Sequence, residues 1–195
     1  MTELDKHAHR VIKIGIAGAS ETGRCGVDAL ETAKSLGEEM AKKGIIMLTN
    51  TTTGFPLWCA KGCKEAGGTV IGFSPAASEK EHREVYRLPV DFMDLIIYTG
   101  FGFVGRDLLF VRSADALVIG CGEMDTFHAF TIGYQDKKPV GVLDGPWQTP
   151  GIIRELLEGE KGNTQLHYEK HVKKLIEMLI KDVAKAKADI SHEFN

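Results

Sequence analysis

No run of the roughly 20 consecutive apolar residues that a membrane span requires occurs anywhere in this 195-residue chain. Excess positive charge is missing too: 24 Lys and Arg stand against 27 Asp and Glu, a formal net charge of -3 without a basic block. Nucleic-acid binding driven by phosphate neutralisation is therefore not expected. Cysteines number four, at Cys25, Cys59, Cys63 and Cys121. They are too few and too scattered for a disulfide scaffold, and a reducing cytoplasm is the expected compartment. The opening stretch, residues 1–10, is polar and does not read as a secretory signal. Two motifs are also missing, the P-loop Gly-Lys-Ser/Thr and the Gly-x-Ser-x-Gly elbow, and residues 15–23 after the first strand (GIAGASETG) do not match G-x-G-x-x-G.

What is present is globular composition, with 43% hydrophobic and 26% charged residues, in a length that suits one domain with a substantial core. Apolar runs of strand length alternate with helical segments. Strands are expected at residues 11–17, 45–48, 70–73, 95–98, 116–119 and 140–143. Helices are expected at 27–43, from Pro56 to the Gly67-Gly68 pair, at 106–114, at 127–134 and from Thr149-Pro150 through Leu157. Residues 76–89 read as a polar connection without periodicity. Near the end Val172, Leu175, Ile176, Leu179, Ile180 and Val183 form an apolar helical stripe. Short continuous apolar strands separated by helices predict an α/β fold: a Rossmann-like, doubly wound parallel sheet with helices on both faces. The expected domain spans 1–195, with a core of about 11–160 and a terminal helix of about 168–188.

In such a sheet ligands bind beyond the carboxyl ends of the strands, at the point where the strand order reverses. Four loops then matter. Gly18-Ala19-Ser20 follows the first strand, where backbone N–H groups and a hydroxyl can meet a phosphate. Thr49-Asn50-Thr51-Thr52-Thr53-Gly54 offers hydroxyl and amide groups that suit either an anion or a helix cap. The second strand ends in Thr49 and Asn50 rather than the acidic residue that would hold an NAD ribose, so a dinucleotide dehydrogenase is not expected. Arg106, directly after Gly105, is read as opening a helix, placed for bidentate recognition of phosphate. The last loop, Gly120-Cys121-Gly122-Glu123-Met124-Asp125-Thr126, carries two carboxylates. Cys59 and Cys63 share a helical face and read as small core residues, and His167 and His171 as solvent-facing.

These loops, in this order, resemble the LOG-type, "lysine decarboxylase-like" superfamily, which includes cytokinin-activating phosphoribohydrolases and molybdenum-cofactor carrier proteins. The resemblance covers roughly residues 11–145. Arg106 and Asp115 keep the superfamily's nine-residue interval before an S-D-A strand start, here Ser113-Ala114-Asp115-Ala116. Residues 67–75 (GGTVIGFSP) look like its third strand. The hydrolase motif P-G-G-x-G-T-x-x-E falls on residues 121–129, where only Gly122 and Thr126 match and the terminal Glu is Ala129. Asp107 stands where the hydrolases place a Lys. Cleaving an N-glycosidic bond needs a carboxylate to stabilise the ribosyl cation or activate water, which a methyl group cannot supply.

The resemblance thus implies a carrier- or sensor-type protein for a nucleotide or a nucleotide-like or pterin-like phosphorylated ligand. The binding set would be Gly18, Ala19, Ser20, Thr51, Thr52, Thr53, Gly54, Arg106, Gly120, Gly122 and Thr126. No cofactor or metal is expected. The expected partners are that small molecule and further copies of the chain, as a homodimer or higher homo-oligomer, with no nucleic acid or membrane. Two alternatives stand beside it. One is a nucleoside 5'-monophosphate phosphoribohydrolase using Arg106 with Glu123 or Asp125 as catalytic residues; the other is an interaction module with a decayed site.

Overall fold

A computed structural model of the chain describes residues 11–160 and 165–193, with side chains through residue 188. The polar stretch 1–10 lies outside the described residues. Among those described, seven strands form one parallel sheet. In chain order the strands are β1 (Lys13–Ala17), β2 (Ile46–Thr49), β3 (Val70–Ser74), β4 (Leu95–Tyr98), β5 (Ala116–Ile119), β6 (Val140–Leu143) and β7 (Leu166–Glu169). Their spatial order is β4-β3-β2-β1-β5-β6-β7. Successive strands step outward from β1 to β4, and the chain then returns to lay β5 against the other side of β1. The switch point therefore lies between the carboxyl ends of β1 and β5.

Helices cover both faces. On one lie α1 (Ala29–Lys42), α2 (Gly54–Glu65) and α7 (Val172–Glu193), on the other α4 (Gly102–Ser113), α5 (Met124–Gln135) and α6 (Thr149–Leu156). Alternation along the strands supplies both cores. Ile14, Ile16, Ala116 and Val118 join Leu36, Met40, Phe55, Leu175 and Leu179 on the first face. Ala17, Leu117 and Ile119 join Phe110, Phe130 and Ile153 on the second. Truncating a fully buried Phe such as Phe55 or Phe110 should cost about 3–5 kcal/mol.

Helices α1 and α2 pack backbone to backbone, because Gly37 abuts the carbonyl of Cys59 and Gly62 that of Lys34, leaving no room for a Cβ at either. Cys59 and Cys63 are buried here, as their small size suggests. Burial pushes the Cys63 thiol up to about 11, and burial raises Cys59 as well.

Two elements and one side chain, that of His167, depart here from the sequence reading. Residues 76–89 contain a helix, α3 (Glu79–Glu84). Ser78 caps it by accepting from the Glu81 N–H at 3.2 Å, while the Glu81 carboxylate accepts from the Ala77 N–H at 2.8 Å. That arrangement approximates a capping box, legible as Ser78-x-x-Glu81. The seventh strand, Leu-His-Tyr-Glu, was missed because an edge strand of mixed polarity shows no apolar run. His167 is not solvent-facing: its Nε2 meets Asp182 Oδ2 at 2.5 Å, tying β7 to α7.

Candidate functional site

A cavity of about 590 Å³ opens at the switch point, inside the range of small-molecule sites. Its walls come from three strand-end segments: Ala19 to Cys25 after β1, Cys121 to Phe127 after β5, and Pro146 to Ile152 after β6. The first two segments are cross-linked, since Cys25 and Cys121 form a disulfide with a Cα–Cα distance of 5.6 Å. Nothing local announces that pairing, for the two lie 96 residues apart in the chain. An exposed ion pair, Arg24 Nη1 to Glu123 Oε1 at 3.5 Å, joins the same segments. Beneath it, the Ala19 N–H donates to the Cys121 carbonyl at 2.7 Å.

The third wall, Pro146 to Ile152, begins in a strand-end loop, residues 144–148, that the sequence reading passed over. Thr149 is buried and clamps the β5 loop: its hydroxyl accepts from the Gly122 N–H at 2.9 Å and donates to the Gly122 carbonyl at 3.1 Å. Trp147 bridges cavity and core, its Nε1 donating to the Leu143 carbonyl at 3.1 Å and its ring meeting Phe55 edge-on at 6.4 Å. A tryptophan beside Gly145-Pro146 at a strand end was the available signal. Phe127, Met124 and Ile152 complete an apolar wall; Glu21, Arg24, Glu123 and Gln148 supply polar groups. The amino termini of α5 and α6 both reach this cavity, favouring negative charge there.

Of the residues singled out in the sequence, the fold brings Ala19, Gly122 and Glu123 to the cavity wall. Gly18 and Gly120 flank Phe55, whose ring occupies the space a Cβ would need at either position. Gly54, at φ +67°, presses against the carbonyls of Ala19 and Ser20. There the Phe55 N–H donates to the Ala19 carbonyl at 2.9 Å and the Thr53 hydroxyl to the Ser20 carbonyl at 2.9 Å. The start of α2 thus holds the first loop in place. Thr51 sits at φ +49°, unusual for a β-branched residue, and is fixed by its hydroxyl donating to the Phe73 carbonyl at 2.9 Å. Thr52 is buried beside it, and Thr49 Oγ1 and Asn50 Oδ1 are buried without a hydrogen-bond partner among the described residues.

Arg106 does not open its helix, which starts one turn earlier at Gly102. It is buried and ion-paired with its own neighbour, Nη2 lying 2.7 Å and Nε 3.0 Å from Asp107 Oδ1, while Nη1 donates to the Asn50 carbonyl at 2.7 Å. The other Asp107 oxygen meets His128 Nδ1 at 3.0 Å. Asp125 is exposed and accepts from the Thr126 N–H at 2.8 Å; Thr126 is buried under Gly122. Ala129 is buried in the second core. Asp115, the other half of the Arg–Asp interval, lies at the amino end of β5, where it accepts from the Lys13 N–H at 2.8 Å and pairs with Lys13 and Lys187.

Parallel sheet, reversed strand order and a cavity over the reversal define a Rossmann-like α/β protein with a ligand-sized site at its switch point. The chain belongs to the SLOG cluster4 family, whose model matches residues 11–176. An uncharacterized protein of Archaeoglobus fulgidus is 30% identical over 143 residues, 73% of this chain and 87% of that protein. Two solved structures are similar over nearly their whole length. The molybdenum cofactor binding protein of Rippkaea orientalis is 25% identical with a TM-score of 0.72, covering 91% of this chain and 99% of that one. The molybdenum cofactor carrier protein of Chlamydomonas reinhardtii is 26% identical with a TM-score of 0.71, covering 88% and 99%. Among the described residues no helix is long and apolar enough to cross a membrane.

Proposed function

We propose that this chain binds a small phosphorylated ligand, nucleotide-like or pterin-like, and holds it without cleaving it. The observation that carries this reading is the cavity over the β1–β5 switch point, where two helix amino termini converge beside an aromatic wall. A planar ring would lie against Trp147 and Phe127. Its phosphate would meet the backbone around Gly122 and Thr149, with Arg24 turning to it from Glu123. Arg106 contributes through the β2 loop that its guanidinium anchors. Two solved relatives named for molybdenum cofactor binding or carriage support a carrier role. Ala129, at the position of the hydrolase carboxylate, supports the lack of cleavage. The preferred partner is a small molecule rather than nucleic acid.

Thermal-shift screening against nucleoside mono-, di- and triphosphates, ribose 5-phosphate and pterin phosphates tests this. A ligand at 100 times its dissociation constant adds about 2.7 kcal/mol of stability. The expected result is a shift that Arg24→Ala and Trp147→Ala diminish, with no free base released. Absence of a shift with every compound would sink the binding reading. A second reading, hydrolysis of nucleoside monophosphates, draws on Glu123 alone, the one carboxylate of the proposed catalytic pair on the cavity wall. It expects base release that Glu123→Gln abolishes.

The protein is proposed to work as a homodimer. Phe101, at the N-cap of α4, and Phe103, Val104, Leu108 and Leu109 on that helix are exposed. Leu95 and Ile97, on edge strand β4, are exposed on the same side of the sheet, since Ile97 is in register with Phe73, which packs on Phe110 of α4. An apolar surface of this extent is usually covered by a partner. Light scattering that finds a monomer at all concentrations would remove this part.

A further inference from the structure

The cross-link lies in the wall of the candidate site, and the segment that carries it has little else to hold it. From Glu21 to Asp28 the chain forms no helix or strand, contains Gly23 and Gly26 (φ +81°), and leaves Arg24 and Val27 exposed. Inside it, the Cys25 N–H donates to the Thr22 carbonyl at 2.9 Å. Across to the β5 loop it has the Arg24–Glu123 pair, whose side chains are 90% and 59% exposed, and exposed pairs of that kind hold weakly. The Cys25–Cys121 bond is the strong tie between the two segments. Both half-cystines are buried from bulk solvent, 1% and 4% exposed, yet both face the cavity. A small oxidant or thiol therefore reaches them through the cavity itself. Cys59 and Cys63, packed on α2 with thiols raised by burial, stay out of this chemistry.

We propose that Cys25 and Cys121 are a reversible redox site that sets access to the cavity. Joined, they pin the 21–28 segment over the wall formed by Cys121 and Gly122; as thiols, they release it and the mouth widens. A peroxide closes the site. The two thiols lose two protons and two electrons, one S–S bond forms, the peroxide O–O bond breaks, and with hydrogen peroxide two waters leave. A small dithiol opens it: one of its thiolates attacks a sulfur of the bond, giving a mixed disulfide, and its second thiol resolves this to an oxidised dithiol and two protein thiols. Because ligand and reductant enter by the same opening, a bound ligand slows reduction and the redox state changes ligand affinity. This rests on reading the cavity as a ligand site, but access can be measured with no ligand present.

The probe is Trp147, on the cavity wall, in a Trp58→Phe background that leaves it as the single tryptophan. The protein is treated with hydrogen peroxide or with dithiothreitol, its thiols are counted by maleimide mass shift, and acrylamide quenching of Trp147 is then recorded. The expectation is two fewer thiols after peroxide and quenching at least twofold steeper in the reduced protein. The Cys25→Ser/Cys121→Ser variant should quench like the reduced protein under both treatments. Four thiols after peroxide, or equal quenching in the two states, would overturn the proposal. Comparing redox states of the same protein needs no cysteine substitution, so a poorly folding variant does not blunt the test. A ligand screen without hits would sink the binding reading and leave this result standing.

Discussion

Asp107 Oδ1 receives the Arg106 guanidinium at 2.7 Å while its other oxygen lies 3.0 Å from His128 Nδ1, so one buried carboxylate joins α4 to α5 and neutralises the neighbouring cation. Both members of the ion pair are 3% exposed. Removing one partner of such a pair strands a buried charge at about 3–5 kcal/mol, whereas replacing both with apolar residues of similar volume is far milder. Asp107→Ala should therefore lower stability by about that amount in urea or thermal unfolding. Arg106→Met/Asp107→Leu should recover most of the loss. Equal destabilisation by the single and double changes would show that Arg106 holds Asn50 in a way the apolar pair cannot replace.

Gly120 and Phe55 form a second coupled pair, since the Phe55 ring fills the place of a Cβ at 120 and lies 2.8 Å from one at Gly18. Gly120→Ala forces the ring or the strand end to move, at about 1–3 kcal/mol for overpacking. The double variant Gly120→Ala/Phe55→Leu should be less destabilised than the two single changes sum to, by at least about 0.5 kcal/mol in a double-mutant cycle. Strict additivity would mean that the loop accommodates the methyl without the ring.

How much of this was legible in the sequence depends on the distance over which the signal acts. Strands β5 and β6 were bounded correctly because a strand buried on both faces must be a continuous apolar run, and edge strand β4 because it too is an unbroken apolar run, although its Leu95 and Ile97 are exposed. Arg106 was found but misplaced: Gly105 directly before it, in a loop rich in glycine and aromatics, suggests a helix start, yet Gly102 already begins the turn and Gly105 sits inside it against Phe101. Its pairing with Asp107 was within sight, two adjacent residues of opposite charge, but a guanidinium at a strand end points as readily to phosphate. Cys25 with Cys121, and Thr149 with Gly122, were beyond reach. Each joins loops that only the strand order brings together, and nothing local in either segment announces the other.

Asp115 fastens the amino end of the sheet. Burial alone would raise its carboxyl, but the Lys13 N–H, the Lys187 ammonium and the Lys13 charge outweigh that and hold it below the ordinary value. A group with a depressed folded pKa stabilises fully above its unfolded pKa, and the contribution is lost as pH falls through the folded value. The stability gap between the native chain and Asp115→Asn should be flat from about pH 5 to 8 and close below about pH 4. Glu169 persists further into acid. Hydrogen bonds from Lys174, the His171 N–H and the His171 ring hold it down at about 2. An Asp115→Asn gap that widens on acidification would contradict the assigned partners.

His82 decides whether the segment 76–89 is held or loose. It is fully buried, with Nε2 donating to the Pro89 carbonyl at 3.0 Å, Nδ1 accepting from the Ser74 hydroxyl at 2.8 Å, and its ring edge-on to Tyr98 at 5.9 Å. That tautomer follows from its partner, because a carbonyl can only accept. One side chain thus binds both ends of the connection to the carboxyl ends of β3 and β4. His82→Ala leaves the Pro89 carbonyl unpaired and opens a hole, together costing about 2–4 kcal/mol, or a fall of roughly 4–16 °C in Tm for a chain of this size. His82→Gln, whose amide can still donate to Pro89, should recover part of it. Trypsin should then cut the Ala variant faster at Arg83 and Arg87 than the native chain, with cleavage elsewhere little changed. If cutting accelerates evenly along the sequence, His82 stabilises the whole fold rather than this segment.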